Sequence, residues 1–346
     1  MEEKLKHFSL KNTAIAVATS ATLVLGLGAS TQAAEERSYI LSTASTGGTY
    51  YPVGVAIATL TKVKLQPKQK ISMSAINSAG SGENVRLLRE GEAQFAIIQG
   101  LFGHYAATGT GPVKADGPQK DLRSVSMLWQ NVEQFVVSAD VAKTGTIEDV
   151  VALKGQSLAL GKKNSGTIGS NATILAEFGV DINTDFSLVH GGYGPSADAV
   201  ADGKAVGMGT PAGVPTGAVT KLFASKGEGV KLLSFTDEQA AKADGGKGLW
   251  TKFTIPAGTY PGQKDDVNTI AQPNFLATHA SVDEDAVYMI TKTMYENLPF
   301  LNAIHPATKA MAIERAIAGL PVPLHAGAAK YYKEVGINIP ANLLAQ

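Results

Sequence analysis

The sequence predicts an α/β chain built of two similar units that face each other across a cleft. Three observations predict it. Strand-like and helix-like stretches alternate, which implies parallel sheets with helices on both faces. The same order of elements occurs twice, once from Tyr39 and again from Ser157. In both units, loops of small residues run directly into helices, and in such sheets the loops after the strands gather at one edge, where ligands bind. Composition bounds the rest. A length of 346 residues fits about two domains, and 44% apolar residues suffice for a sizeable core. Only 17% of residues are charged, and 30 basic against 30 acidic side chains leave no net charge. That balance argues against nucleic-acid binding, which needs a basic footprint. The absence of cysteine excludes disulfides, iron–sulfur clusters and thiolate zinc sites.

Residues 1–34 read as a secretory signal peptide. Lys4, Lys6 and Lys11 give a basic start, an apolar stretch follows over 13–29, and Ala29-Ser30-Thr31-Gln32-Ala33-Ala34 supplies small residues for cleavage near Ala33 or Ala34. The rival reading is a membrane anchor. Thr13, Thr19, Ser20 and Thr22 dilute the stretch, and a span needs about 20 mostly apolar residues. The mature chain is therefore expected to be exported and soluble.

The elements follow in order. Tyr39-Ile40-Leu41 is a strand, and Ser45-Thr46-Gly47-Gly48-Thr49 its loop. A helix then places Val53, Ile57 and Leu60 on one face. Residues 71–76 alternate as a second strand, Asn77 to Gly82 form a loop, and a helix with Val85, Leu87 and Leu88 stops at Gly91. A third strand covers 94–98. The second unit repeats this grammar: strand 157–160, loop Asn164-Ser165-Gly166-Thr167, a helix with Ile174, Leu175 and Phe178, strand 186–189, loop 190–194, and a helix over 196–201 ending at Gly203. Glu90-Gly91-Glu92-Ala93 and Asp202-Gly203-Lys204-Ala205 each lead into a strand. Beyond 256 the chain is more helical. A strand contains Asn274 to Ala277, Ser281-Val282-Asp283-Glu284 reads as a capping box for a helix reaching about Asn297, and further helices are expected over 308–318 and 326–335.

Three loops end at helix starts, where free N–H groups and a partial positive charge favour an anion. Aimed at one cleft, they would bind a small anionic molecule without a basic residue; taken singly, each loop is equally well a helix cap. Tyr50 and Tyr51 would line the pocket, or one of them anchors the core. Glu83 would accept a ligand amine or complement its helix dipole, and Gln99 ends a strand at the binding edge. Trp129 is either core or pocket wall.

Searches for catalysis fail. There is no Gly-x-Ser-x-Gly elbow, residues 155–163 miss the phosphate-loop spacing, and Gly207-Met208-Gly209 is a poor dinucleotide fingerprint. The histidines show no metal spacing. Neither a catalytic centre, a metal nor a cofactor is expected. The competing reading is an exported hydrolase of small esters or amides, with Ser78, Ser81 or Ser165 facing His190.

At Thr46-Gly47-Gly48-Thr49-Tyr50-Tyr51-Pro52-Val53-Gly54, Glu83-Asn84-Val85-Arg86-Leu87-Leu88 and Ile255-Pro256-Ala257-Gly258-Thr259-Tyr260-Pro261-Gly262, the sequence resembles the TAXI family, the solute-binding subunits of TRAP transporters. Glu296-Asn297-Leu298, His305-Pro306-Ala307 and the run from Gly319 to His325 agree, so the resemblance covers nearly all of the mature chain. It implies a two-lobed periplasmic-binding-protein-like fold that hinges shut on glutamate, 2-oxoglutarate or a related dicarboxylate and delivers it to an ion-driven membrane permease. A sensor subunit reporting to a membrane kinase would share the fold.

Carried over by the resemblance, the ligand contacts fall on Gly47, Gly48, Thr49 and Tyr50 or Tyr51, on Ser78, Glu83, Asn84 and Gln99, and on Ser165, Gly166 and Thr167. The later loop of small residues and proline adds Thr210 and Gly213. One lobe would combine residues 35–132 with 256–346, and the other would span 133–255, with hinges near 130–135 and 253–261. Three departures from the family pattern lie at the cleft: Gly100-Leu101-Phe102 in place of an acidic residue, Gly191-Gly192-Tyr193-Gly194 in the second lobe's loop, and Gly82. The extra glycine and Tyr193 would reshape the pocket for a larger or less polar acid.

Overall fold

The computed structural model describes residues 35–345, so the expected signal peptide lies outside the described residues. The first lobe opens with strand β1 (Arg37–Ser42), helix α1 (Tyr50–Gln69), β2 (Ile71–Ile76), α2 (Ser81–Arg89), β3 (Phe95–Gln99) and α3 (Gly100–Thr108), and then the long strand β4 (Leu122–Val132). The second lobe follows with β5 (Phe135–Ser138), α4 (Glu148–Val151), β6 (Ser157–Ala159), α5 (Gly166–Glu177), α6 (Ile182–Asp185), β7 (Ser187–Leu188), α7 (Tyr193–Ala201), β8 (Gly207–Gly209), α8 (Gly217–Lys226), β9 (Val230–Leu232) and α9 (Asp237–Asp244). The chain returns through β10 (Thr251–Ile255) and β11 (Val267–His279) and finishes with α10 (Glu284–Glu296), α11 (Leu298–Ile304) and α12 (Ala326–Glu334).

The internal repeat is real at the level of topology. The first sheet runs β2-β1-β3-β11, and the second runs β7-β6-β8-β5. In each, three parallel strands are followed by one antiparallel neighbour. Alternation along the strands explains why both faces carry helices. In β5, Phe135 and Val137 join a core with Ile174 and Leu175 of α5, whereas Val136 packs on the opposite side with Val219 and Leu222 of α8.

Two crossings link the lobes. β4 passes directly into β5 through the buried pair Glu133 and Gln134. On the return, β10 pairs with β11 in the first sheet, so Thr251–Ile255 belongs to that sheet although the sequence reading placed it within the second lobe's range. The motif after β10 works as a buckle. Buried Tyr260 donates its hydroxyl to Gln134 Oε1 and accepts from Thr216 N at 2.9 Å. Burial pushes that phenol's pKa up to about 12, which keeps it a neutral donor.

Three sequence expectations change. Asp283 rather than Ser281 caps α10: its carboxylate accepts from Ala286 N at 2.8 Å, while Ser281 bonds His279. No α-helix forms over 308–318; short 3-10 turns stand there instead. The carbonyl of Ala316 is drawn off to Met127 N of β4 at 2.7 Å, which competes with a helical ladder. Helix α3 was not expected, because two glycines weaken its propensity. Full burial of Leu101 and Phe102 overrides that penalty.

Candidate functional site

Four helices begin at one cavity between the lobes. Thr49 and Tyr50 at the start of α1 and Ser81 of α2 come from the first lobe. Gly166 and Thr167 of α5 and Gly192 and Tyr193 at the start of α7 come from the second. The glycine and serine content of these loops is what permits the convergence. A Cβ on Gly82 would lie 2.5 Å from Asn164 O, and one on Gly47 would lie 2.9 Å from Gly194 N. On Gly166 it would meet Gln99 Oε1 and Ser81 Oγ, both at 2.8 Å. All three contacts cross from one lobe to the other.

The lobes are shut. Gln99 Nε2 donates to Gly166 O at 3.0 Å, Thr49 Oγ1 to Gly213 O at 3.1 Å, and Glu83 N to Asn164 O at 3.0 Å. Ala218 N donates to Gly47 O at 3.2 Å, and Ser45 Oγ accepts from Tyr193 N at 3.3 Å. The volume left open to the centres of water molecules is only ≈ 30 Å³. Ala44, Ala79, Ala212 and Pro211 make much of the wall.

Two tyrosines frame the cavity as neutral groups, because burial raises both phenols well above their usual pKa. Tyr50 donates to Asn274 Oδ1, and its ring stands edge-on to Trp129 at 6.0 Å. Trp129 is therefore the core behind the wall. Tyr193 donates to Pro211 O at 2.5 Å, with Thr167 Oγ1 at 2.9 Å from the same hydroxyl. Its ring lies against Gly48, where an added Cβ would stand 3.0 Å away. Tyr193 thus occupies part of the cleft, with its ring beside Gly48.

Of the residues singled out from sequence, Gly48, Thr49, Tyr50, Gln99, Gly166, Thr167 and Tyr193 line the cavity. Gly47 and Gly213 sit at its closing contacts. Six do not line it. Ser78 donates to Asn84 Oδ1 at 2.7 Å, and Asn84 Nδ2 ties Thr43 O and Ile97 O, so this pair fastens the loop to the sheet. Glu83 turns back to accept from Ala79 N at 2.6 Å, with Arg86 at 3.9 Å, so it is no receptor for a ligand amine. Ser165 caps α5 by accepting from Ile168 N at 3.1 Å. Buried Thr210 has its hydroxyl 3.4 Å from Gln134 O, and Tyr51 lies outside the lining.

Ser45, Ser81, Ala79 and Lys162 line the cavity and were not singled out as ligand contacts. Lys162 alters the chemistry most, since the loops were expected to hold an anion without a basic residue. Its signal was present in the near-miss phosphate loop, a basic residue just before the loop into α5. The hydrolase pair is not assembled among the described residues: His190 Nδ1 sits 3.2 Å from Gly161 O, and Ser78, Ser81 and Ser165 are engaged elsewhere.

Residues 41–336 match the profile of the NMT1-like family, and the chain belongs to that family. Solved structures of similar fold include MatC from Rhodopseudomonas palustris with bound malate, at 12% identity over 86% of this chain and 96% of that one, TM-score 0.53. The periplasmic binding protein BugD matches at 13% identity over 87% and 95%, TM-score 0.52. A binding protein component of an ABC phosphonate transporter from Pseudomonas aeruginosa matches at 11% identity over 78% of each chain, TM-score 0.50. The fold is the two-lobed α/β fold of these proteins.

Proposed function

We propose that this NMT1-like chain is an exported, periplasmic solute-binding protein, not an enzyme, which closes its two lobes on a small organic anion and hands it to a membrane permease. The observation that carries this reading is the convergence of four helix N-termini, two from each lobe, on one cavity whose lining holds a lysine and no acidic side chain. Free first-turn N–H groups and the helix dipoles hold a carboxylate there without a neutralising arginine. A ligand that touches both lobes favours the closed form, because it binds that form more tightly. The motif resemblance supports a TRAP-type permease of the TAXI class and keeps glutamate, 2-oxoglutarate and related dicarboxylates among the candidates.

The test is a thermal-shift screen of mature protein, refolded once to release any carried ligand, against small carboxylates, sulfonates, amino acids and neutral sugars. An anion present at about a hundred times its dissociation constant stabilises the fold by about 2.7 kcal/mol. A shift with organic anions supports the reading. A shift only with neutral sugars, or with nothing on the panel, contradicts it.

A further inference from the structure

We infer that the cavity is built for a compact monoanion without an ammonium group, a short oxyanion on a mainly apolar body, and that Lys162 is the one cationic side chain of its lining among the described residues. This rests on the capture function proposed above. The argument is an inventory of donors and acceptors. The side-chain donors in the wall are already committed: Thr49 to Gly213 O, Gln99 to Gly166 O, Tyr193 to Pro211 O and Tyr50 to Asn274. What remains for a ligand is the first-turn N–H groups not used in closure, the hydroxyls of Ser45 and Ser81, and Lys162, an exposed residue of the lining.

Acceptors are scarce. Ser45 Oγ takes Tyr193 N, Ser81 Oγ takes Gln99 N, and Gln99 Oε1 takes Asn131 Nδ2. Glu83, the one acid near these loops that the sequence offered, faces away. An amino acid would therefore bury its ammonium with no carboxylate in the lining to pair it, and a buried unpaired charge is strongly unfavourable. A second carboxylate would have to share the same helix N-termini, since Ala44, Ala79, Pro211 and Ala212 make much of the remaining wall and the lining holds no second cation. Size points the same way. The closed cavity is small, with ≈ 30 Å³ open to the centres of water molecules, and a three-carbon acid needs less widening of it than a five-carbon one.

The experiment is calorimetric titration of the refolded mature protein with propionate, pyruvate, ethanesulfonate, succinate, 2-oxoglutarate and glutamate. It is repeated on Lys162→Gln and Lys162→Arg. The expected result is that one of the three monoanions binds at least tenfold tighter than either dicarboxylate or glutamate. Lys162→Gln should lose at least tenfold for that monoanion and flatten its salt dependence, while Lys162→Arg retains most of both. The ligand-free melting temperature should not change, since Lys162 is exposed. Tighter binding of a dicarboxylate or of glutamate, or undiminished binding in Lys162→Gln, overturns this inference and leaves anion capture standing. Failure of all six anions to bind overturns the inference and the capture function together.

Discussion

Glu133 is a buried carboxylate whose chemistry departs far from its ordinary behaviour. It is 1% exposed, at the point where β4 crosses into β5. Its Oε1 faces Ser170 Oγ at 2.5 Å, Trp250 Nε1 at 3.2 Å and Gln272 Nε2 at 3.5 Å, while its Oε2 has no partner among the described residues. Desolvation outweighs those donors and raises the carboxyl pKa to about 7. A pKa raised on folding means the folded state binds the proton more tightly. The resulting stabilisation is complete below the unfolded carboxyl pKa and is lost as pH rises through about 7. Glu133→Gln keeps an acceptor for the three donors and removes the charge. At pH 8 it should be more stable than the parent by on the order of 3 kcal/mol, with the difference vanishing near pH 4. Urea unfolding of both proteins across that range checks this. Taking the difference between them removes the opposing contribution of His305 and His325, whose burial lowers their pKa. A difference that does not change with pH would contradict the assignment.

Among the elements, α2 shows how far the sequence could be read. Its position, its apolar face and its stop near Gly91 follow from periodicity and from glycine chemistry. What periodicity cannot show is that Ser81 and Gly82 press against the other lobe. That contact joins residues far apart in sequence, and only the folded chain brings them together. The same limit explains Glu83, whose place in the first turn left open a ligand amine or the helix dipole and which the resemblance made a ligand contact. Its own loop supplies a closer partner in Ala79 N. It also explains Lys162, whose importance depends on where the opposite lobe lands. Helix α3 was illegible for a different reason: tertiary burial of Phe102 against Gly169 and Gly82 decides it. The α2 contact is testable. Gly82→Ala should change the stability of the ligand-free fold little, since alanine's better helix propensity is offset by a Cβ 3.1 Å from the buried Phe102 ring. Its Cβ would stand 2.5 Å from Asn164 O, so the lobes should not close fully. Anion affinity should fall about tenfold or more, through a Cβ clash of the kind that costs about 1–3 kcal/mol. Unchanged affinity, measured by calorimetry, would show that α2 does not gate closure.

At the scale of the whole molecule, the two sheets share one strand order and place equivalent loops on opposite sides of a single cavity. The duplicated grammar from Tyr39 and from Ser157 made that architecture readable before any coordinates. The state of the hinge was not readable, because closure depends on backbone contacts such as Glu83 N to Asn164 O rather than on a sequence pattern. In the closed form interlobe contacts seal the cavity, so a ligand must enter an open form and then draw the lobes together. Small-angle scattering of the refolded mature protein, titrated with the anion that stabilises it most, measures this directly. The account predicts a larger radius of gyration without ligand and contraction to the dimensions of the closed structure at saturation. A radius that stays constant while the same anion raises the melting temperature would contradict capture by closure between the lobes.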